Sequence, residues 1–234
     1  MSIGDNLQAV RERIRAAALR GGRNPEEVRL VAVSKTHPAQ MVDEAAACGQ
    51  MLFGENYVQE LTAKASGVRA PVEWHFIGNL QGNKVRQIAG LVSTIHSVDR
   101  LSLAKEIDRQ WGGIGSACDI LVQVNIACEA TKGGTEAGEL RGLVEEISLL
   151  EHVRIRGLMT MPPFFDDPED ARPFFRELKR LAGEMAALGL PNVEMVELSM
   201  GMSGDFEVAI EEGATLVRVG SAIFGERAYP AKAP

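Results

Sequence analysis

The feature that most constrains the fold is an alternation of short apolar runs with helix-like segments along the whole chain. The apolar runs are typical of buried strands, and apolar residues recur every three or four positions in the segments between them. The predicted strands are residues 28–33, 51–53, 73–77, 94–97, 119–125, 153–159, 193–198 and 215–219. The predicted helices are residues 3–19, 39–48, 57–65, 84–89, 101–111, 136–149, 168–188 and 206–212. This alternation predicts an α/β fold with a parallel sheet and helical crossovers.

The repeat favours a closed (β/α)8 TIM barrel over an open, doubly wound sheet. An open sheet of that kind usually has a glycine-rich turn after its first strand, whereas the turn here reads SKTHP over residues 34–38. Neither GxGxxG nor GxxxxGK[ST] occurs in the sequence. Because no linker or low-complexity stretch divides the repeats, we expect residues 1–234 to form a single barrel domain.

Composition argues against several classes of function. Acidic residues outnumber basic ones by 32 to 25 and are dispersed along the chain, which disfavours binding to nucleic acid phosphates. No apolar stretch approaches the ~20 residues that span a bilayer, and the N-terminal segment is amphipathic, unlike a signal peptide. We therefore expect a cytoplasmic protein with no nucleic acid or membrane partner. Cys48, Cys118 and Cys128 show no CxxC spacing, so we expect buried free thiols and no metal site.

Polar residues follow several predicted strands, at the end of the barrel where functional residues collect in this architecture. Lys35 comes just after the apolar run VAV at residues 31–33, with Ser34 between them. Because an ammonium is costly to bury, desolvation would lower the pKa of Lys35 and leave a neutral amine that can attack an aldehyde. The alternative is a lysine whose stem packs on the barrel rim while its ammonium stays in water.

The loops after the predicted seventh and eighth strands have the composition of a phosphate-binding cup. Gly201, Gly204 and Gly220 would let backbone amides approach an anion, and Ser203 and Ser221 add hydroxyl donors. Ordinary turns use the same residue types, so turn chemistry alone is the alternative.

Arg218 ends the predicted eighth strand and carries a permanent charge. It could contact a ligand, or it could form a salt bridge with Glu197 or Glu55. His75 is a candidate for the lining of the site. The other histidines lack the mutual spacing of metal ligands and are expected in the core or at the surface: His37, His96 and His152.

Together these segments resemble the YggS/PROSC family, the pyridoxal phosphate homeostasis proteins. The resemblance rests on VAVSKT (31–36), FGENYVQE (53–60), WHFIG (74–78), LQ (80–81), NK (83–84), RGLM (156–159), LSMGMS (198–203) and VRVGSAIFG (217–225). These motifs extend from the first predicted strand almost to the C-terminus. The resemblance implies a barrel similar to the N-terminal domain of alanine racemase, which binds pyridoxal 5'-phosphate (PLP) as a Schiff base on Lys35.

The resemblance also implies roles for other residues. The phosphate would be bound around Ser203, Gly220 and Ser221, and Arg218 would face the pyridine nitrogen. The cofactor-binding residues expected on this basis are Lys35, Asn56, His75, Ser199, Met202, Ser203, Arg218, Gly220 and Ser221. In this set, Asn56 and His75 would lie beside the ring.

One position departs from the family pattern. His37 stands where members of this family often carry a second lysine, although Lys132 matches. Cofactor transfer through a second amine at position 37 is therefore not available to this chain.

We interpret the chain as a PLP-binding protein that takes part in intracellular homeostasis and delivery of the cofactor to apo-enzymes, without robust catalytic turnover. The first alternative is a small PLP-dependent amino-acid racemase, which needs acid and base groups on both faces of the substrate carbon. Resemblance to alanine racemase makes the second group a tyrosine from a C-terminal β domain, and we expect neither that domain nor a well-placed tyrosine here. The tyrosines of the sequence are Tyr57 and Tyr229.

A second alternative, from another class, is a Schiff-base aldolase that acts on a phosphorylated sugar and uses the same lysine without a cofactor. An absorption spectrum would separate the two classes, because a bound cofactor predicts a borohydride-sensitive visible band. Because the second racemase domain helps to form the racemase dimer, we expect this chain to be a monomer.

Overall fold

The computed structural model of the chain describes residues 2–129 and 133–225. In these residues eight parallel strands pair in chain order, and β8 pairs with β1 to close a barrel. The strands are β1 (Arg29–Val33), β2 (Leu52–Glu55), β3 (Glu73–Phe76), β4 (Thr94–Val98), β5 (Cys118–Gln123), β6 (Val153–Met159), β7 (Val193–Ser199) and β8 (Leu216–Val219). The predicted (β/α)8 TIM barrel is confirmed.

A helix follows each strand, and α1 precedes β1. The helices are α1 (Ile3–Arg20), α2 (Ala39–Ala47), α3 (Val58–Gly67), α4 (Val85–Ile88), α5 (Leu101–Gly112), α6 (Leu140–Ile147), α7 (Arg172–Ala186), α8 (Phe206–Glu211) and α9 (Ser221–Phe224). Helix α1 begins with a capping box, in which the Ser2 and Asp5 side chains each accept a hydrogen bond from the other residue's backbone amide. The predicted helices lie close to these bounds, except the one predicted for residues 136–149.

Helix α6 begins later than predicted because the preceding segment first returns to the barrel. Thr135 forms a bridge with Val124, just after β5. The Thr135 amide donates to the Gln123 carbonyl, and the Thr135 carbonyl accepts from the Asn125 amide. These bonds hold Thr135 beside the barrel, so a turn is needed before the helix starts at Leu140.

Side-chain alternation along the strands divides the apolar core into two layers. Outward side chains such as Leu30 and Phe53 belong to a large cluster between the barrel and its helices. The cluster inside the barrel is small and comprises Val31, Leu52, Leu121, Met159 and Leu216. Buried His96 of β4 contacts Ser199 of β7, and because these strands are not neighbours, polar side chains also cross the interior.

One pair of neighbouring strands in the barrel, β7 and β8, has fewer register pairs than the others. Strands β7 and β8 share a single register pair, Ser199 with Leu216, whereas β1 and β8 share four. Backbone bonds that flank this pair, from Met200 to Leu216 and from Thr215 to Leu198, complete the contact. The loops after β7 and β8 therefore follow the strand pair with the least backbone pairing in the barrel.

The expectation of buried thiols is wrong for Cys48 and Cys128, which are exposed, and is confirmed for Cys118. Cys48 caps the end of α2 and Cys128 lies in the loop after β5, whereas Cys118 begins β5. Among the described residues, none of the helices has the length and apolar character needed to cross a bilayer. In the same residues, no three His, Cys, Asp or Glu side chains come together as metal ligands.

We predict that Gly157→Ala strongly destabilises the barrel. A Cβ atom at this position would lie 1.8 Å from the carbonyl oxygen of Glu197, where the register of β6 and β7 shifts. Because two paired strands would have to separate, urea unfolding should show a loss of about 3 kcal/mol or more. The control is Gly142→Ala in α6, where a Cβ has open space and alanine should add ~0.5–1 kcal/mol. Similar stabilities for the two variants would contradict this account.

Candidate functional site

A cavity of about 360 Å³ lies at the carboxyl ends of the strands. This volume is within the range of small-molecule sites. The predicted site residues that line it are Lys35, Asn56, Met202, Ser203, Arg218, Gly220 and Ser221. His75 and Ser199 do not line it, because both side chains are fully buried in the barrel interior below it. The structure therefore brings seven of the predicted residues together and places the other two behind them.

Lys35 lies on the inward face of the barrel wall, because alternation along the chain gives it the same orientation as Val31 and Val33. The residue is half-buried. Thr36 has a φ of 67°, an uncommon value for a β-branched residue. Its amide donates to Glu60 Oε2 at 2.7 Å, which holds this turn in place. The backbone after Lys35 is thus fixed in a conformation that tertiary contacts must maintain.

A buried ion pair fixes the backbone before Lys35 from outside the barrel. Lys64 of α3 donates to Glu55 Oε1 and to the Ser34 carbonyl, both at 2.6 Å, and the Ser34 hydroxyl also donates to Glu55 Oε1. Burial raises the pKa of Glu55, although the Lys64 ammonium opposes this shift. The Glu55 carboxylate therefore depends on Lys64 to remain ionised.

The loops after β7 and β8 form a surface of hydrogen-bond donors. The Gly220 amide donates to Ser203 Oγ at 3.3 Å, which joins the two loops. In the described part of the chain, the amides of Ser203, Gly204 and Ser221 donate no hydrogen bond to a backbone carbonyl of a loop or turn. Gly201 allows the close approach, because its φ is 89° and a Cβ there would lie 2.6 Å from Ala209 Cβ. Such amides and hydroxyls suit an anion.

The guanidinium of Arg218 is buried against the cavity. Nη1 donates to Ser199 Oγ at 2.6 Å, and Nη2 donates to the Thr160 carbonyl at 3.0 Å. Burial lowers the pKa of Arg218 to about 10, so the group is still charged at neutral pH. Its hydrogen-bond partners within the described residues are neutral, although the Asp205 carboxylate, which also lines the cavity, opposes the lowering of its pKa. A ligand acceptor in the cavity would use its remaining N–H groups.

The alternative in which Arg218 forms a salt bridge with Glu197 or Glu55 is wrong. Glu197 pairs with Arg29 at 2.7 Å, and Glu55 pairs with Lys64. Because both carboxylates are paired with other basic side chains, Arg218 forms a salt bridge with neither of them and faces the cavity.

Asn56 lines the cavity, and its Oδ1 atom is buried without a hydrogen-bond partner among the described residues. Gly78 permits this position, because a Cβ at residue 78 would lie 2.1 Å from the Asn56 carbonyl oxygen. A buried amide oxygen without a partner is rare in native proteins, and a bound ligand is an ordinary explanation.

Two groups near the site were not predicted from the sequence. His96, expected only as a core or surface residue, hydrogen-bonds both His75 and Ser199. Lys64 was not among the residues singled out in the sequence. The available signals were a histidine in the middle of a short apolar strand and a Glu60–Lys64 pair four positions apart on a helix. Lys132 and Tyr229 lie outside the described residues.

Residues 6–228 match the family model of the alanine racemase N-terminal domain. A pyridoxal phosphate homeostasis protein from Aquifex aeolicus (strain VF5) is 46% identical over 230 residues, which are 98% of this chain and 100% of that protein. One from Escherichia coli (strain K12) is 43% identical over 235 residues, with 98% and 99% covered. The structure of PipY from Synechococcus elongatus PCC7942 with PLP bound is similar, with a TM-score of 0.82, 36% identity, and 96% and 100% of the two chains covered.

We predict that Lys64→Met destabilises the protein by about 3–5 kcal/mol at about pH 8, because it leaves the Glu55 carboxylate buried without its ammonium partner. The loss should shrink toward about pH 5. Burial already raises the pKa of Glu55, and without Lys64 the folded state would take up a proton before the unfolded chain does. Urea unfolding at both pH values measures this. Adding Glu55→Gln should recover most of the stability at high pH, and a loss independent of pH would contradict the prediction.

Proposed function

The chain belongs to the pyridoxal phosphate homeostasis proteins and to the alanine racemase N-terminal domain family, and we propose that it binds PLP in the cavity described above. The observation that carries the proposal is that a lysine, an anion-binding surface and a buried guanidinium all line one cavity. PipY, which is 36% identical, has PLP bound in its structure, and this supports the assignment.

The chemistry of the donor set fits each part of PLP. The amides and hydroxyls of Ser203 and Ser221 would bind the phosphate, since anions are bound by such donors. Arg218 would face the pyridine nitrogen, and Asn56 would lie beside the ring, where its Oδ1 atom could accept a hydrogen bond. Lys35 would react with the aldehyde, because it lies on the same inward wall.

Lys35 would hold the cofactor covalently as a Schiff base. The Lys35 amine would condense with the cofactor's aldehyde, forming a C=N bond with the loss of one water molecule. PLP supplies the aldehyde and an aromatic ring that can stabilise negative charge. Two supports fix the backbone of Lys35, namely the Lys64 ammonium on Ser34 and the Glu60 carboxylate on Thr36. The lysine is thus positioned before any ligand arrives.

We propose that the protein carries PLP and does not turn over a substrate robustly. Arg218 can only donate hydrogen bonds, so it would favour an unprotonated pyridine nitrogen and weaken the ring's ability to stabilise a carbanion. Tyr57 is half exposed and does not line the cavity, so it does not take the place of a racemase tyrosine. The relatives' name, which refers to homeostasis, supports the same interpretation.

Delivery of PLP to apo-enzymes by a monomer is part of this proposal. His37 lines the cavity close to Lys35 in sequence, and its ring lies 5.3 Å from that of Phe224. An imidazole at this position cannot form a stable Schiff base, so the chain would release PLP directly from Lys35 without passing it to a second amine at position 37.

We predict that Lys35→Ala abolishes covalent attachment of PLP and leaves the fold intact. Wild-type protein incubated with PLP and reduced with borohydride should gain one reduced cofactor in its intact mass, whereas the variant should gain none. Lys105→Ala, which changes an exposed lysine of α5, is the matched control and should label like wild type. Labelling of the Lys35→Ala variant would move the site elsewhere, with Lys84 and Lys132 the first residues to test.

We predict that the PLP-loaded protein does not racemise amino acids at an enzymatic rate. General acid–base catalysis contributes ~10²–10⁴-fold, and the described residues offer no tyrosine in the cavity for the second face. The measurement is loss of the α-proton from single L-amino acids in deuterated water. Repeated turnover near ~10 s⁻¹ that depends on Lys35 would make the racemase alternative correct.

A further inference from the structure

A line of hydrogen bonds crosses the barrel interior from the cavity to the opposite rim. Arg218 Nη1 lies 2.6 Å from Ser199 Oγ, and Ser199 Oγ lies 2.9 Å from His96 Nδ1. His96 Nε2 lies 2.8 Å from His75 Nδ1, and His75 Nε2 lies 3.1 Å from Glu73 Oε1. Four of the five side chains are buried, and Glu73 is partly exposed at the start of β3. The line therefore connects a cavity residue to the solvent-facing rim at the amino ends of the strands.

The chemistry of each group fixes the direction of these bonds. Arg218 only donates, so Ser199 Oγ accepts from it and uses its own proton to donate to His96 Nδ1. Burial holds the pKa of His96 well below its ordinary value, so the ring is neutral and carries its proton on Nε2. His96 then donates to His75 Nδ1, and His75 donates from Nε2 to Glu73. All bonds point from Arg218 toward Glu73.

The opposite direction would leave a buried group unsatisfied. If His96 Nδ1 donated to Ser199, the Ser199 hydroxyl proton would have no acceptor among the described residues. A buried donor without an acceptor costs about 1–3 kcal/mol. The direction from Arg218 toward Glu73 avoids that cost, since His96 Nδ1 then accepts the Ser199 hydroxyl proton.

Glu73 ends the line as a carboxylate. The hydrogen bond from His75 lowers the pKa of Glu73 to about 2, and the Ser93 hydroxyl donates to the same oxygen at 2.6 Å. A line of polar groups that ends in a negative charge is polarised along its length, and each bond strengthens the next. The effect at the cavity is that Ser199 becomes a better acceptor for Arg218.

We propose that Glu73 is a positioning residue for the ligand site, which acts through His75, His96 and Ser199 to hold the Arg218 guanidinium in the orientation that a bound ring requires. The proposal rests on the proposed function, in which Arg218 faces the pyridine nitrogen of PLP. Two donors of Arg218 are used by Ser199 and Thr160, so the plane of the guanidinium is fixed and its remaining N–H groups are left for the ligand.

The first test needs no ligand. Nitrogen-15 spectra of the wild-type protein should show His96 as a neutral ring with its proton on Nε2, donated to His75 Nδ1. In Glu73→Gln, which keeps the shape and removes the charge, the signals of His96 and of the Arg218 side chain should shift as well as those of His75. The matched control is Glu194→Gln, which removes another exposed carboxylate at the same rim, paired with Arg156 outside the line. It should leave these signals unchanged.

The second test measures the consequence for the ligand. Glu73→Gln should weaken PLP binding by about 3- to 10-fold, as a charge-assisted line becomes a neutral one, and Glu194→Gln should not. In a Ser199→Ala background, which cuts the line, Glu73→Gln should cause no further loss. If Ser199→Ala does not fold, the comparison of PLP binding by Glu73→Gln and Glu194→Gln tests the proposal by itself.

The outcomes separate this inference from the proposed function. A wild-type protein that binds no PLP would overturn the proposed function, while the spectra would still show whether Glu73 holds Arg218. Normal PLP binding with equal affinities for Glu73→Gln and Glu194→Gln would overturn the inference alone. A His96 proton on Nδ1, or additive losses in the Ser199→Ala background, would overturn it too.

Discussion

The pairing of β1 with β8 is the interaction on which the rest of the structure depends. It closes the barrel, and its register places Val31 opposite Arg218 and Ala32 opposite Val219. Parallel strands bring their carboxyl ends to one edge, so the residues that follow them must meet there. Lys35 and the loop that begins at Gly220 are adjacent for this reason, even though they are far apart in sequence. Without closure, the chain would carry the same residues but would have no common site for them.

Strand alternation then assigns opposite tasks to neighbouring residues. Ser34 turns outward to a buried ion pair, whereas Lys35 turns inward to the cavity. Arg218 likewise faces inward between two residues that pack beneath the helices. Buried charge is costly on either face, and hydrogen bonds hold both the Lys64 ammonium and the Arg218 guanidinium in place. Buried polar groups on both faces of the barrel wall thus hold two cavity residues, Lys35 and Arg218, in place.

The barrel and most of the cavity could be predicted from the sequence, because both depend on local patterns. Apolar periodicity identified the eight strands, and the position of Lys35 and Ser221, two residues after the end of a strand, implied a place at the rim. The bonds of His96 to His75 and Ser199, and of Lys64 to Ser34, could not be predicted, since they join different elements of the barrel and depend on packing. The salt bridge considered for Arg218 failed for a related reason, because sequence alone does not show which base lies closest to Glu197.

The sparse contact between β7 and β8 links the cavity to the stability of the closed barrel. This seam has one register pair, and the Gly220 amide bonded to Ser203 is its continuation into the loops. An anion bound by both loops would link β7 to β8, the neighbouring strands with the fewest register pairs in the barrel. Anion binding would then also stabilise the closed barrel. A ligand that binds only the closed form stabilises it in proportion to the logarithm of the ligand concentration. Without a bound anion, the barrel would therefore open first between these two strands.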